Sequence, residues 1–121
     1  MSYITFYDNR GKAIAWLSED DYPTIYLYNG KPVGWISNES VYAFSGKHLG
    51  WYVNGWIIDH KGHYVYFTEI SNGGPVKPCR QVRPVRGVRQ VRPVRGVREV
   101  SPVRPCKSLS WSDLNDKFFE Q

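Results

Sequence analysis

The sequence predicts an all-β fold: four repeated β-hairpins in a pseudo-four-fold ring, then a polyproline II-like extended basic segment and a short C-terminal helix. Three observations carry this. Four glycine-centred repeats fill the first part of the chain, and a run counted in threes follows them. The last residues then place Leu114, Phe118 and Phe119 at helical spacing.

The four repeats align on Gly11, Gly30, Gly46 and Gly62. Lys12, Lys31, Lys47 and His63 come next, and Ile14, Val33, Leu49 and Val65 stand three after each glycine. Ala15, Gly34, Gly50 and Tyr66 occupy the fourth place, and Trp16, Trp35, Trp51 and Phe67 the fifth. A fixed period of this kind marks a repeated structural unit. Each unit reads as a hairpin because β-branched and aromatic residues precede the turn at 3–7, 24–28, 41–44 and 56–58. Asn29-Gly30 predicts a type I′ turn with positive φ at both central residues, and Ser45-Gly46 is similar. The outer turns begin with Asp8 and Asp59, whose carboxylates can bond their own turn backbone.

Simple alternation along a strand puts the third and fifth residues after each glycine on one face. Trp16, Trp35, Trp51 and Phe67 are thereby expected as a structural aromatic core at the centre of the ring, with the fourth-place residues on the opposite face. Four hairpins closing around an axis also remove most free strand edges. The connections between hairpins are expected at 18–23, 37–40 and 52–55.

From residue 76 to 107 a small apolar residue recurs at every third position, from Val76 and Cys79 to Val103 and Cys106. A basic residue follows each one except at Ser101. Period three excludes a one-sided strand, the prolines exclude an α-helix, and glycine is too rare for collagen. Polyproline II or disorder remain. Residues 81–89 and 90–98 are the identical nonapeptide QVRPVRGVR. The valine stripe favours packing on protein, the chain's own body or a sister chain, which would leave the arginine stripe facing outward. Ser110 or Ser112 is expected to cap the short helix that follows.

Charge divides the chain the same way. Residues 1–75, the four-hairpin domain, carry a net −2; residues 76–108, the triplet segment, carry +9; residues 109–121, the helical end, carry −2. The expected role is non-catalytic interaction or assembly, as a homo-oligomer or with a protein partner. The alternative is nucleic-acid or other polyanion binding through Arg83, Arg86, Arg89, Arg92, Arg95 and Arg98. No signal-like or membrane-spanning run is seen, so the expected compartment is cytoplasmic, with no membrane contact. There Cys79 and Cys106 should be reduced and behave as small apolar residues. His48, His60 and His63 lack the companions of a metal site, and no nucleophile elbow or phosphate loop is present. No catalytic residue, metal or cofactor is expected.

The pattern Gly-Lys-x-(Ile/Val/Leu)-(Ala/Gly)-Trp in successive hairpins, the Val-Arg-Pro-Val-Arg-Gly tail and the Ser108-Leu109-Ser110-Trp111-Ser112 close together resemble the bacterial four-fold β-flower family. The resemblance covers almost the whole chain. It implies four hairpins in a ring and carries no activity with it. Tyr66 and Phe67 depart from the pattern in the fourth repeat.

Overall fold

Eight antiparallel strands follow one another in a single meander. The computed structural model describes residues 3–19, 22–106 and 108–121. The strands are β1 (Tyr3–Tyr7), β2 (Ala13–Ser18), β3 (Thr24–Leu27), β4 (Pro32–Ser37), β5 (Ser40–Tyr42), β6 (His48–Val53), β7 (Trp56–Ile58) and β8 (Tyr64–Tyr66), and each pairs with its neighbours in sequence. Just past β8, Phe67 exchanges two backbone hydrogen bonds with Tyr7 of β1, at 2.8 and 2.9 Å, so the sheet nearly closes on itself. No helix among the described residues is long and apolar enough to cross a membrane.

All four glycine turns share one geometry. The amides of Gly11, Gly30, Gly46 and Gly62 donate to the carbonyls of Asp8, Leu27, Ala43 and Asp59 at 2.9–3.1 Å. Asp8 Oδ1 accepts from the amides of Arg10 and Lys12, and Asp59 Oδ1 from those of Lys61 and His63, all at 2.9 Å. The type I′ expectation at Asn29-Gly30 is corrected: Gly30 has φ +94°, whereas Asn29 is not in the left-handed region. Left-handed pairs occur instead at Asn38-Glu39 and Asn54-Gly55. These join β4 to β5 and β6 to β7 by two-residue turns, because Ser37 pairs with Ser40 and Val53 with Trp56.

The expected orientation of the repeats also changes. In every hairpin the register slips by one residue: Phe6 pairs with Ala15 but Tyr7 with Ala13, and the other three repeat this at Ile25/Tyr26, Val41/Tyr42 and Ile57/Ile58. Ile14, Val33, Leu49 and Val65 are the extra residues of four equivalent bulges. A bulge resets alternation, so the third and fifth positions no longer share a face. The central cluster holds Phe6, Ile25, Val41 and Ile57 with their cross-strand partners Ala15 and Tyr66. Gly34 and Gly50, at the matching places, leave room for the rings of Phe119 and Phe118.

Phe118 comes from a 3-10 helix, Asn115–Glu120, and is fully buried in that cluster. The expected serine cap is corrected: Leu114 is the N-cap and no side chain caps the helix. Ser112 instead donates to Asp59 Oδ2 at 2.6 Å and accepts from the Leu114 amide. Tyr66 donates to the Asn115 carbonyl at 2.6 Å, and its burial raises the phenol pKa well above its ordinary value.

Trp16, Trp35, Trp51 and Phe67 are buried, each at most 4% exposed, but not at the centre. They stand on the other side of the sheet. Trp16 stacks on Tyr26, Trp35 on Tyr42 and Phe67 on Tyr7, at ring separations of 4.9–5.3 Å. In three of the four sectors the second strand of one hairpin is thus held to the first strand of the next by an aromatic pair. Those outward rings are the surface on which the basic segment lies.

Candidate interaction surface on the basic belt

Residues 76–106 form neither helix nor strand, yet they are fastened at regular intervals. The amides of Gln81, Gln90, Glu99 and Ser108 donate to the carbonyls of Gly11, Gly30, Gly46 and Gly62 at 2.8–3.1 Å. The spacing is nine residues, the length of the repeated nonapeptide, and each step reaches the next hairpin. The segment is a belt with one repeat per hairpin. Two further amides, Gly87 and Gly96, donate to Tyr28 and Phe44 at 2.7 and 2.6 Å. The equivalent places in the first and last sectors hold Pro78 and Pro105, which have no amide to give.

The turn glycines face the belt directly. A Cβ on Gly11, Gly30, Gly46 or Gly62 would collide with the carbonyl oxygen of Cys79, Val88, Val97 or Cys106. The glycine therefore serves the left-handed turn and the close approach of a second backbone at once.

The belt's stripes face opposite to expectation. Nine valines, from Val76 to Val103, are 90–95% exposed. Cys79 and Cys106 occupy the same row and are exposed free thiols, so they do not act as buried apolar residues. The arginines turn inward. Arg86 lies over Tyr3 at 3.7 Å and Trp16 at 4.8 Å; Arg95, nine residues on, lies over Tyr22 at 3.9 Å and Trp35 at 4.9 Å. Arg83 reaches Tyr3 at 5.7 Å, and Arg92 reaches Tyr22 at 4.4 Å. Arg89 lies over Tyr26 and donates to Ser18 at 3.2 Å; Arg98 lies near Trp35 and Tyr42 and donates to Ser37 at 2.9 Å. Glu69 sits between Arg80 and Arg83 at 3.5 and 3.7 Å, and Glu39 pairs with Arg104 at 3.6 Å. Cation–π contact with a ring face suits a weakly hydrated guanidinium and leaves valine on the far side. The six arginines expected as a binding row are thus strung along one line, each engaged by the body.

The third sector breaks the pattern. There the arginine row carries Ser101, and the facing residue is His48, only 2% exposed. His48 Nδ1 shares a hydrogen bond with His60 Nε2 at 2.9 Å, His48 Nε2 with Ser40 Oγ at 3.1 Å, and Ser101 Oγ meets Ser40 Oγ at 3.0 Å. Burial above all, and then His60, push the His48 imidazole down to about 4, against the pull of Glu99. The His48 amide donates to the Glu99 carboxylate at 2.7 Å. His60 thus bonds to His48 through its side chain, while His63 contributes its backbone amide to the turn carboxylate of Asp59. No group of three or more metal-ligating side chains occurs among the described residues.

Comparison with curated proteins and with solved structures finds no match. The repeated turns, the four-sector sheet and the belt that serves each sector in order all fall within residues 4–119, where the family model described as "4-fold beta flower protein" matches, and the chain belongs to that family.

Proposed function

We propose that this is a non-catalytic interaction module whose belt presents an apolar ridge to a protein partner, in the first instance a second copy of the chain. The observation that carries the reading is the row of nine valines, all at least 90% exposed, on a segment anchored in every sector. Burying one valine contributes about 1.5 kcal/mol, so a partner covering several gains a substantial association energy. Ordering of the belt on its own body removes the entropy that a free tail would lose on binding. The charge that would oppose self-association is turned toward the body's rings. On this reading the belt is polyproline II-like, which its three-residue side-chain period supports: valine outward, arginine toward the body, and the third residue along the edge. The same inward turn of the arginines weighs against polyanion capture as the main role.

Sedimentation velocity across protein concentrations tests the proposal. The wild-type chain should gain mass with concentration, and a Val85→Ser/Val88→Ser/Val91→Ser variant should stay monomeric with unchanged circular dichroism. A wild-type monomer at every concentration overturns the self-association reading.

A further inference from the structure

Two recesses lie between the belt and the outward aromatics, and they are related by the nine-residue step. One, of about 500 Å³, is lined by Tyr3, Trp16, Arg86 and Arg89. The other, of about 460 Å³, is lined by Trp35, Ser37, Arg95 and Arg98. We infer that these are two equivalent oxyanion sites, each taking a carboxylate or phosphate group at the in-plane edge of Arg86 or Arg95 beside a tryptophan N–H.

Three observations meet here. First, Arg86 and Arg95 lie over the tyrosine rings, with Cζ 3.7 and 3.9 Å from the ring centres, and form no ion pair among the described residues. A cation–π contact uses the charge of the guanidinium without consuming its N–H donors, and a planar or tetrahedral oxyanion can pair with two of them. Second, the Nε1 atoms of Trp16 and Trp35 are buried and find no acceptor among the described residues. Buried donors without a partner are uncommon, and these two stand at repeat-equivalent positions on the tryptophans that line the two recesses. Third, the chain supplies its own carboxylates elsewhere along the row. Arg104, equivalent to Arg86 and Arg95, pairs with Glu39, and Glu69 spans Arg80 and Arg83. Sectors one and two keep the arginine and the indole donor, and among the described residues no carboxylate pairs with Arg86 or Arg95. In the fourth sector Phe67 replaces the tryptophan and has no N–H.

This inference rests on the arginine and indole donors and not on the valine side chains of the ridge, although Val85 and Val97 border the two recesses. The test is a titration of the full chain with inorganic phosphate at constant ionic strength, followed by the indole N–H signals in ¹H–¹⁵N NMR spectra. The Trp16 and Trp35 signals should shift saturably while those of Trp51, Trp56 and Trp111 stay in place. Arg86→Gln should abolish the Trp16 shift and leave that of Trp35; Arg95→Gln should do the reverse, each surviving site proving the variant folded. Arg80→Gln should leave both. A parallel acetate titration names the source: tighter saturation by acetate identifies a carboxylate ligand, tighter saturation by phosphate a phosphorylated one. Shifts shared by all five indoles, shifts that never saturate, or shifts indifferent to Arg86→Gln and Arg95→Gln overturn the inference.

Discussion

The carbonyl oxygen of Val88 sits against the α-carbon of Gly30, so a belt residue occupies the space that any side chain on that turn would need. Gly30 also has φ +94° and offers its own carbonyl to the Gln90 amide at 2.9 Å. One glycine thus holds a hairpin and a belt repeat in fixed relation.

Gly30→Ala should therefore be far more damaging than a glycine change of the same backbone type elsewhere. Gly73 has φ +73° with nothing within 4 Å of where a Cβ would stand. Gly73→Ala should lose about 1–2 kcal/mol, the ordinary penalty for a left-handed non-glycine residue. Gly30→Ala should lose at least about 1.5 kcal/mol more, through displaced belt hydrogen bonds. Urea unfolding of the two variants, compared at equal m-value, checks the difference.

The orientation of the stripes gives an unusual contrast between adjacent residues. Arg92 lies over Tyr22 at 4.4 Å and donates to Thr24, whereas Val91 is 94% exposed. Arg92→Ala should destabilise the monomer by about 1 kcal/mol, with lost cation–π contact and packing. Val91→Ala should leave it within about 0.5 kcal/mol. Thermal unfolding at low protein concentration reads both; the reverse order would mean that valine is the packed stripe.

Acid should act through His48. Its pKa, lowered to about 4 in the fold against an ordinary 6.5, means the unfolded chain binds the extra proton first. The contribution of neutral His48 is complete above pH 6.5 and is lost as pH falls from there to about 4. The groups facing it are His60, Ser40, Ser101 and the Glu99 carboxylate at its amide. His48→Gln should flatten this part of the stability profile by on the order of 2 kcal/mol, while the wild-type curve keeps its slope. Denaturant unfolding at intervals between pH 7 and 4 measures it; parallel curves for the two proteins would contradict the assignment.

The repeat alignment shows why much of this was legible in the sequence and some was not. Glycine at four turns, with aspartate bonding its own loop at Asp8 and Asp59, follows from local chemistry that each segment carries by itself. The face of each tryptophan does not. Alternation assigns Trp16 inward until a bulge at Ile14 shifts the phase by one, and that bulge is a property of pairing with β1. The belt poses the same difficulty. A three-residue period defines stripes but not which one meets the body, and the usual weight given to burying valine points the wrong way here. The deciding surface is aromatic: Tyr3, Tyr22, Trp16 and Trp35 suit a guanidinium face better than a methyl pair. The signal that could have shown it is the match between four hairpin glycines and four belt positions nine apart, Cys79, Val88, Val97 and Cys106. His48 was hidden for a simpler reason, since its partners Ser40, His60 and Ser101 are scattered along the chain and meet only when the third sector closes.

Amide hydrogen exchange along residues 76–106 tests the central claim, a belt fastened to its own hairpins once per nonapeptide. Protection should appear at Gln81, Gly87, Gln90, Gly96 and Glu99, the belt amides that donate to the body. The intervening valine and arginine amides should exchange at nearly unprotected rates. Uniformly rapid exchange across the whole segment, with the sheet amides still protected, would contradict the account.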